Sequence, residues 1–318
     1  MRRQIILFWI LTTSILATDP ALTTEVVESP KEGELLSSLT DSFQASYYRL
    51  KEAASSFHKQ LAEEMHVQPK VVEQMEAAFE RLVGENIYFL LGYSDERTEI
   101  GCYGEKESAK PVRITFINGI LTDRETLFAN LAMLSEAHGN AKIHYVFRPT
   151  EGWSTDICRA FLIKAAFQIG FRSIHTHLLA HTWRSLIQEM GGVQGEGLII
   201  HYAHSIGGSE TDRARDLLSL EEQKKIRVIT FGSPTLIPNV GFQQVINIVS
   251  RHDGVTSFIL NPFGWIQHYL HDAHSTVEYY GQFFNFPHVW PLDHLLGGPS
   301  YGEAIRKLGE QFCREFFP

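Results

Sequence analysis

The sequence predicts an α/β protein: a mostly parallel sheet with helices on both faces, preceded by an N-terminal helical hairpin. Three observations predict it. From about residue 86 onward, short apolar strand segments alternate with helical segments, the order that builds βαβ units and a parallel sheet. Before residue 86, apolar residues recur at helical spacing. A serine stands where an apolar strand meets a helix, in Ala203-His204-Ser205-Ile206-Gly207-Gly208.

The chain opens on MRRQIILFWILTTSILATDP. Arg2 and Arg3 give a positive start, and Ile5 to Ala17 is apolar but short of the roughly 20 residues a membrane span needs. Residues 1–17 therefore predict a cleaved export signal ending at Ala17, with an uncleaved membrane anchor as the alternative. Residues 18–85 predict a helical extension. Leu36, Leu39, Phe43, Tyr47, Leu50, Ala54, Phe57 and Leu61 step by three or four residues along one long helix. Pro69 suits the start of a second helix bearing Val72, Met75, Phe79 and Leu82. The pair is either a hairpin packed on the main domain or a surface for a protein partner.

Residues 86–318 predict the main domain. NIYFLLGY and TEIGCYG suggest two short strands around the turn SDER. VRITFING is a strand, RETLFANLAMLSEAHG a helix and KIHYVFRP a strand. Helical stretches follow near 155–171 and 173–190. GLIIHYAHS, IRVITFGSP and QVINIVSRHD are further strands, and YGEAIRKLGEQFCREFF is the last helix. The segment 256–290, rich in Phe, Tyr and His, suits either a lid or acyl-binding wall, or a surface excursion.

The 318 residues have 44% hydrophobic and 20% charged content, a globular composition. A net charge of −9 with no basic block argues against nucleic-acid binding. Three cysteines, Cys102, Cys158 and Cys313, allow one disulfide at most, so no disulfide framework holds the fold. None of them stands beside a histidine in a way that suggests a thiol nucleophile. The histidine groups HTHLLAH and HYLHDAH lack the glutamate-bearing metalloprotease pattern, and neither a metal nor a cofactor is expected.

The serine frame fits a nucleophile elbow, with Ala203 in the first small position. Bulky residues two before or two after the serine would clash across so tight a turn. The strained turn lifts Oγ clear of the sheet, which predicts an exposed Ser205 side chain at the sheet's rim. A glycine-rich turn with a solvated serine is the plainer alternative.

At these residues the chain resembles the α/β-hydrolase superfamily, and within it the class 3 lipases. HYAHSIGG is similar to their elbow and VITFGSPTL to the strand after it. VINIVSRHDGVTSF is similar to their next strand, and PLDHLLGGPSYG to their late Asp-His-Leu segment. The whole chain is also similar to a chlamydial family of unknown function. The resemblance implies an α/β-hydrolase-like fold over roughly residues 86–318 and the chain order Ser205, Asp253, His294 for nucleophile, acid and base.

The chemistry supports the same roles. Serine is a poor nucleophile until a base takes its proton. The base needs a carboxylate on its far nitrogen. Asp253 ends a strand near the elbow, although Asp before Gly254 is also a common turn pair. His294 precedes the final helix and is the first choice of base. His274 is second, and His204 suits a packing role. The oxyanion donors expected are the N–H of Ile206 and those of Gly119 and Ile120, after the strand VRITF. Ser209, Glu210 and Asp212 stand where such an elbow helix normally buries small apolar residues, so its tight packing is in question.

The function expected is hydrolysis of a carboxylic ester, lipid acyl esters included, at a membrane surface or in solution outside the cytoplasm. The competing expectation is a non-catalytic scaffold of the same fold, docking a partner through its N-terminal helices.

Overall fold

The structure, a computed structural model, describes residues 98–108, 110–150, 172–250, 253, 276–280 and 294–316. The signal, the N-terminal helices, the strand NIYFLLGY, the helix near 155–171, Cys158 and His274 lie outside the described residues. Arg172 apart, the described residues belong to one compact unit, 95–161 with 173–318. Among them no helix is long and apolar enough to cross a membrane.

Among the described residues seven strands form one sheet. They are β1 (Glu99–Tyr103), β2 (Val112–Ile117), β3 (Ile143–Phe147), β4 (Leu198–His204), β5 (Ile226–Phe231), β6 (Gln244–Ser250) and β7 (Val277–Tyr280). Their order across the sheet is β1-β3-β2-β4-β5-β6-β7. Among the described strands only β1 runs antiparallel, pairing Glu99 with Phe147 and Tyr103 with Ile143 on β3. Among the described residues TEIGCYG is thus an edge strand on β3. The other neighbours are parallel. β7 is a correction to the sequence expectation. Four residues of the 256–290 segment extend the sheet, pairing Asn247 with Val277 and Ser250 with Tyr280. Val277, Tyr279 and Tyr280 favour strand conformation, but the run is too short to show periodicity.

The helices are α1 (Arg124–Ala137), α2 (Ile174–Glu189), α3 (Ile206–Arg215), the single turn α4 (Leu220–Gln223) and α5 (Pro299–Phe316). Their starts follow from local chemistry. The Asp123 carboxylate accepts the Thr126 N–H at 2.8 Å, the Ser173 hydroxyl accepts the Thr176 N–H at 3.1 Å, and Ser219 and Glu222 form a capping box. Pro299 opens α5, where a missing N–H costs nothing.

Strand alternation gives each sheet face its own core. On one face Ile114, Phe116, Ile200, Tyr202, Ile229, Phe231 and Ile248 pack with Leu127, Leu131 and Leu134 of α1 and Ala304, Ile305 and Phe312 of α5. On the other, Ile117, Ile199, Ala203, Val228 and Val245 pack with Leu179, Trp183, Leu186 and Ile187 of α2 and Ala214 of α3. Each fully buried Leu or Ile side chain adds roughly 1.5–3 kcal/mol of hydrophobic stabilisation. α1 and α5 meet at Gly309, where a Cβ would stand 2.1 Å from the Ala137 carbonyl oxygen.

Two buried histidines anchor β4, and their hydrogen-bond directions follow from their partners. Thr211 donates to the Gly207 carbonyl at 2.8 Å, so its oxygen is left to accept the His201 Nε2–H at 2.8 Å. His201 Nδ1 then accepts the Thr115 hydroxyl proton at 2.8 Å, and Thr115 Oγ1 accepts the Trp183 indole N–H at 3.3 Å. A single directed chain therefore ties α2, β2, β4 and α3. On the opposite face His138 Nδ1–H donates to the Leu134 carbonyl at 2.7 Å, and its Nε2 accepts the Tyr202 hydroxyl proton at 2.6 Å. Burial pushes His201 down to about 3 and His138 down to about 4, so both stay neutral.

Candidate active site

β4 runs into α3 through Ser205, whose φ of 53° and ψ of −128° are rare for a residue with a side chain. Such a conformation costs on the order of 1–3 kcal/mol and persists only where the surroundings enforce it. Here the Ser205 N–H donates to the Phe231 carbonyl at 2.8 Å, and its carbonyl accepts the Gly208 N–H at 3.0 Å. The glycines are a steric requirement. A Cβ on Gly207 would come within 2.9 Å of the Ile117 carbonyl oxygen, and one on Gly208 within 2.2 Å of Ser233 Oγ.

The structure brings Ser205, His294 and Asp253 together. His294, in the loop before α5, places Nε2 2.9 Å from Ser205 Oγ. Its Nδ1 lies 2.7 Å from Asp253 Oδ2. Asp253 is buried just past β6, its N–H donating to the Ser250 carbonyl at 3.2 Å. The order hydroxyl, imidazole, carboxylate lets Nδ1–H donate to the acid while Nε2 keeps a lone pair for the serine proton.

The expected exposure of Ser205 is corrected: the residue is 0% exposed. The His294 imidazole lies against its Oγ, and the Gly119 backbone presses so close that a Cβ there would stand 2.5 Å from Ser205 Cβ. The same approach brings the expected oxyanion loop onto the serine. Asn118, fully buried, uses its amide to fix that loop. Nδ2 donates to the Gly119 carbonyl at 2.9 Å and the Arg148 carbonyl at 2.6 Å, and Oδ1 accepts the Arg148 N–H at 2.8 Å. Thr122 also donates to the Gly119 carbonyl, at 3.2 Å. With that carbonyl held, the Ile120 N–H of the same trans peptide points the opposite way. Ile206 opens α3, so its N–H has no acceptor within the helix.

Two neighbours have larger roles than the sequence suggested. His204 does more than pack, because its Nε2–H donates to the His294 carbonyl at 2.7 Å and the two rings lie 5.1 Å apart. Burial, with the neighbouring His294 second, pushes His204 down to about 3. Tyr301 was not singled out from sequence at all. Its hydroxyl donates to Asp253 Oδ2 at 2.6 Å and accepts the Ser250 N–H at 3.2 Å. The signal was a tyrosine three residues into a helix that starts at Pro299, close after the proposed base.

The doubt about α3 is also corrected. Ser209, Glu210 and Asp212 are all buried. Ser209 Oγ and Thr235 Oγ1 hydrogen-bond at 2.7 Å. Glu210 Oε2 accepts the hydroxyls of Ser173 and Thr176, each at 2.5 Å, and Oε1 lies 3.6 Å from the Arg148 guanidinium. The helix packs tightly through matched polar partners in place of small apolar residues. Burial raises the Asp212 carboxyl, and Arg215 at 3.0 Å opposes that rise.

One cysteine does stand beside a histidine. Cys102 and His144 face each other across β1 and β3 with Sγ 3.2 Å from Nδ1. Burial raises the thiol and pushes the imidazole down to about 4, so the pair stays neutral. Among the described residues no group of three or more His, Cys, Asp or Glu is placed to hold a metal ion.

The elbow geometry at the end of a central parallel strand decides the fold class. It is α/β-hydrolase-like. No protein-family model and no curated protein matches the chain. Among solved structures, the chain is similar to a Trichoderma reesei cutinase in complex with a phosphonate inhibitor, at 15% identity over 82% of this chain and 98% of that one, with a TM-score of 0.36. An alpha-beta serine hydrolase homologue from Coxiella burnetii matches at 14% identity, 69% and 91% coverage and a TM-score of 0.33. An arylesterase matches at 13% identity, 83% and 98% coverage and a TM-score of 0.39. Likenesses this shallow carry no chemistry over to this chain.

Proposed function

We propose that the protein is a serine hydrolase of carboxylic esters, lipid acyl esters included, working through an acyl-enzyme on Ser205. The observation that carries this is the unbroken chain Ser205 Oγ, His294, Asp253 at 2.9 and 2.7 Å, built on a serine held in a strained turn. A solvated turn serine needs neither a buried acid nor an imidazole aligned between the two.

In the proposed reaction His294 Nε2 takes the Ser205 proton as Oγ attacks the ester carbonyl carbon. Asp253 holds the imidazolium that forms. The oxyanion is met by the N–H groups of Ile206 and of the Gly119–Ile120 segment, each such donor contributing roughly 3 kcal/mol to the transition state. The tetrahedral intermediate collapses, the alkoxide leaves with the proton from Nε2, and the acyl group stays on Oγ. Water then attacks the acyl carbon, giving its proton to Nε2. Ser205 regains that proton as the carboxylic acid leaves. No cofactor enters the scheme. Leu121 and Leu295, 41% and 50% exposed on either side of the site in sequence, supply apolar surface suited to an acyl chain or a lipid surface. Kinship to class 3 lipases and export through residues 1–17 belong to the same proposal.

Labelling with a fluorophosphonate probe tests it. The expected result is covalent modification of the wild-type protein that disappears in Ser205→Ala. Folded protein that takes no label would favour the scaffold alternative and end the hydrolase proposal.

A further inference from the structure

Tyr301 touches the proposed acid, yet the proposed reaction gives it no part. Three observations place it there. Its hydroxyl lies 2.6 Å from Asp253 Oδ2, the same oxygen that receives the His294 Nδ1–H. The phenol oxygen accepts the Ser250 N–H at 3.2 Å, which leaves its own proton for the carboxylate. Gly232, at φ +57°, makes room for the meeting: a Cβ there would stand 2.8 Å from Asp253 Oδ2, 2.8 Å from the Tyr301 hydroxyl and 3.2 Å from His294 Cε1.

We propose that Tyr301 is a positioning residue of the Ser205–His294–Asp253 unit, its phenol fixing the Asp253 carboxylate and taking a share of the charge that holds the His294 imidazolium. The inference rests on the hydrolase proposal. Tyr301 is 0% exposed, so water does not compete for the bond. The ring is braced edge-on against Phe231 at 5.9 Å and His204 at 6.4 Å, which confines the hydroxyl to one place. A hydrogen bond from a neutral donor to an ionised carboxylate is strong and short. Two donors on one oxygen divide its negative charge. With the phenol gone, more of the Oδ2 charge falls on His294, which favours the imidazolium.

A titratable group from β4, His204, also faces this pair, and burial keeps it neutral down to about 3. The end of β5, Phe231 and Gly232, brings none. The phenol lies directly on the carboxylate oxygen that receives the His294 N–H.

The test is an NMR titration of protein with isotope-labelled histidine, the His294 signal being assigned through His294→Gln. Tyr301→Phe should raise the imidazole midpoint by about 0.5–1 pH unit, and the acidic limb of kcat/KM should move with it. Replacing Tyr301 by 3-fluorotyrosine, a stronger donor of nearly the same shape, should move both the other way. A merely structural role predicts no such opposition in sign. Midpoints that coincide with wild type, or that move the same way in both variants, would overturn the inference. If Tyr301→Phe fails to fold, the fluorotyrosine protein alone decides by the direction of its shift. The titration needs no turnover, so the two proposals fail separately. Ser205→Ala that still hydrolyses ester ends the hydrolase proposal. Inactive Ser205→Ala with unmoved Tyr301 titrations ends only this one.

Discussion

Mild acid should unfold the domain through its buried neutral histidines. His138, His201 and His204 are pushed from 6.5 down to about 4, 3 and 3, in each case chiefly by burial. A histidine whose value falls on folding favours the unfolded chain when protons are available. Its contribution is fully present above the unfolded value and is lost as the pH drops through it. The window opens near 6.5 and closes near 4 for His138 and near 3 for the other two. At about pH 5 each histidine has lost roughly 2 kcal/mol, so the three together have lost about 6 kcal/mol. A domain's entire net stability is about 5–15 kcal/mol. Most carboxylates titrate below this window and add little to it. The assay is equilibrium urea unfolding at several values between about pH 7.5 and 5, with stability plotted against pH. The slope should steepen as the pH falls, approaching about three protons taken up on unfolding, about 4 kcal/mol per pH unit, near pH 5, with the partly exposed His144 adding less. His201→Gln, which keeps a polar side chain but cannot charge, should remove about one proton from that slope. A slope worth less than one proton, or one unchanged in His201→Gln, would refute the assignment of these residues as buried and neutral.

Ser205→Ala and His294→Ala should each lower ester turnover by about 10⁶-fold, because members of such a unit fail together. Asp253→Asn should cost about 10⁴-fold by favouring the wrong tautomer, and steady-state kinetics on p-nitrophenyl esters would rank the three. Glu210→Ala, which leaves the Arg148 guanidinium without its carboxylate at 3.6 Å, should cost about 3–5 kcal/mol of unfolding free energy. Glu210→Gln should lose less, by keeping an acceptor for Ser173 and Thr176; equal losses in urea titrations would count against the ion pair. Gly309→Ala should destabilise by about 1–3 kcal/mol through overpacking at the Ala137 carbonyl, and an unchanged urea midpoint would show that α1 and α5 can part freely.

The sheet was legible because its central strands are apolar runs of five to seven residues separated by capped helices. Ser173 and Asp123 announce α2 and α1 by their own chemistry. The serine was legible because a strained turn demands small neighbours, and Gly207 and Gly208 declare it locally. Less of the rest could be seen, because it depends on distant partners. The bond between Tyr301 and Asp253 joins residues 48 apart in sequence. Glu210 looked like a defect in an apolar helix because its partners, Ser173 and Thr176, stand more than 30 residues earlier. β7 was hidden because four residues carry no period. The glycine at 119 announces a close backbone approach, but the burial of Ser205 also needs the His294 imidazole, which comes from a loop 89 residues away in sequence.

The five residues His201 to Ser205 show why a strand with so much polarity belongs in the middle of the sheet. Period-two alternation sends His201 toward α2 and α3, and Tyr202 toward α1 and α5. Each finds its partners there, so neither side chain is left wanting a hydrogen bond. His204 falls on the Tyr202 face one step nearer the strand's end, where its Nε2–H reaches the His294 carbonyl. The strand then cannot slide, because a one-residue slip would exchange the two faces and break every one of these bonds. That fixity is what a serine at φ 53° requires. A conformation costing a few kcal/mol relaxes unless its neighbours are pinned more firmly than it pulls. The His201 chain pins α3 at Gly207, two residues after the serine, and His204 pins the backbone of His294 across from it. The polar residues of β4 thus hold the serine and the histidine of the site to one frame.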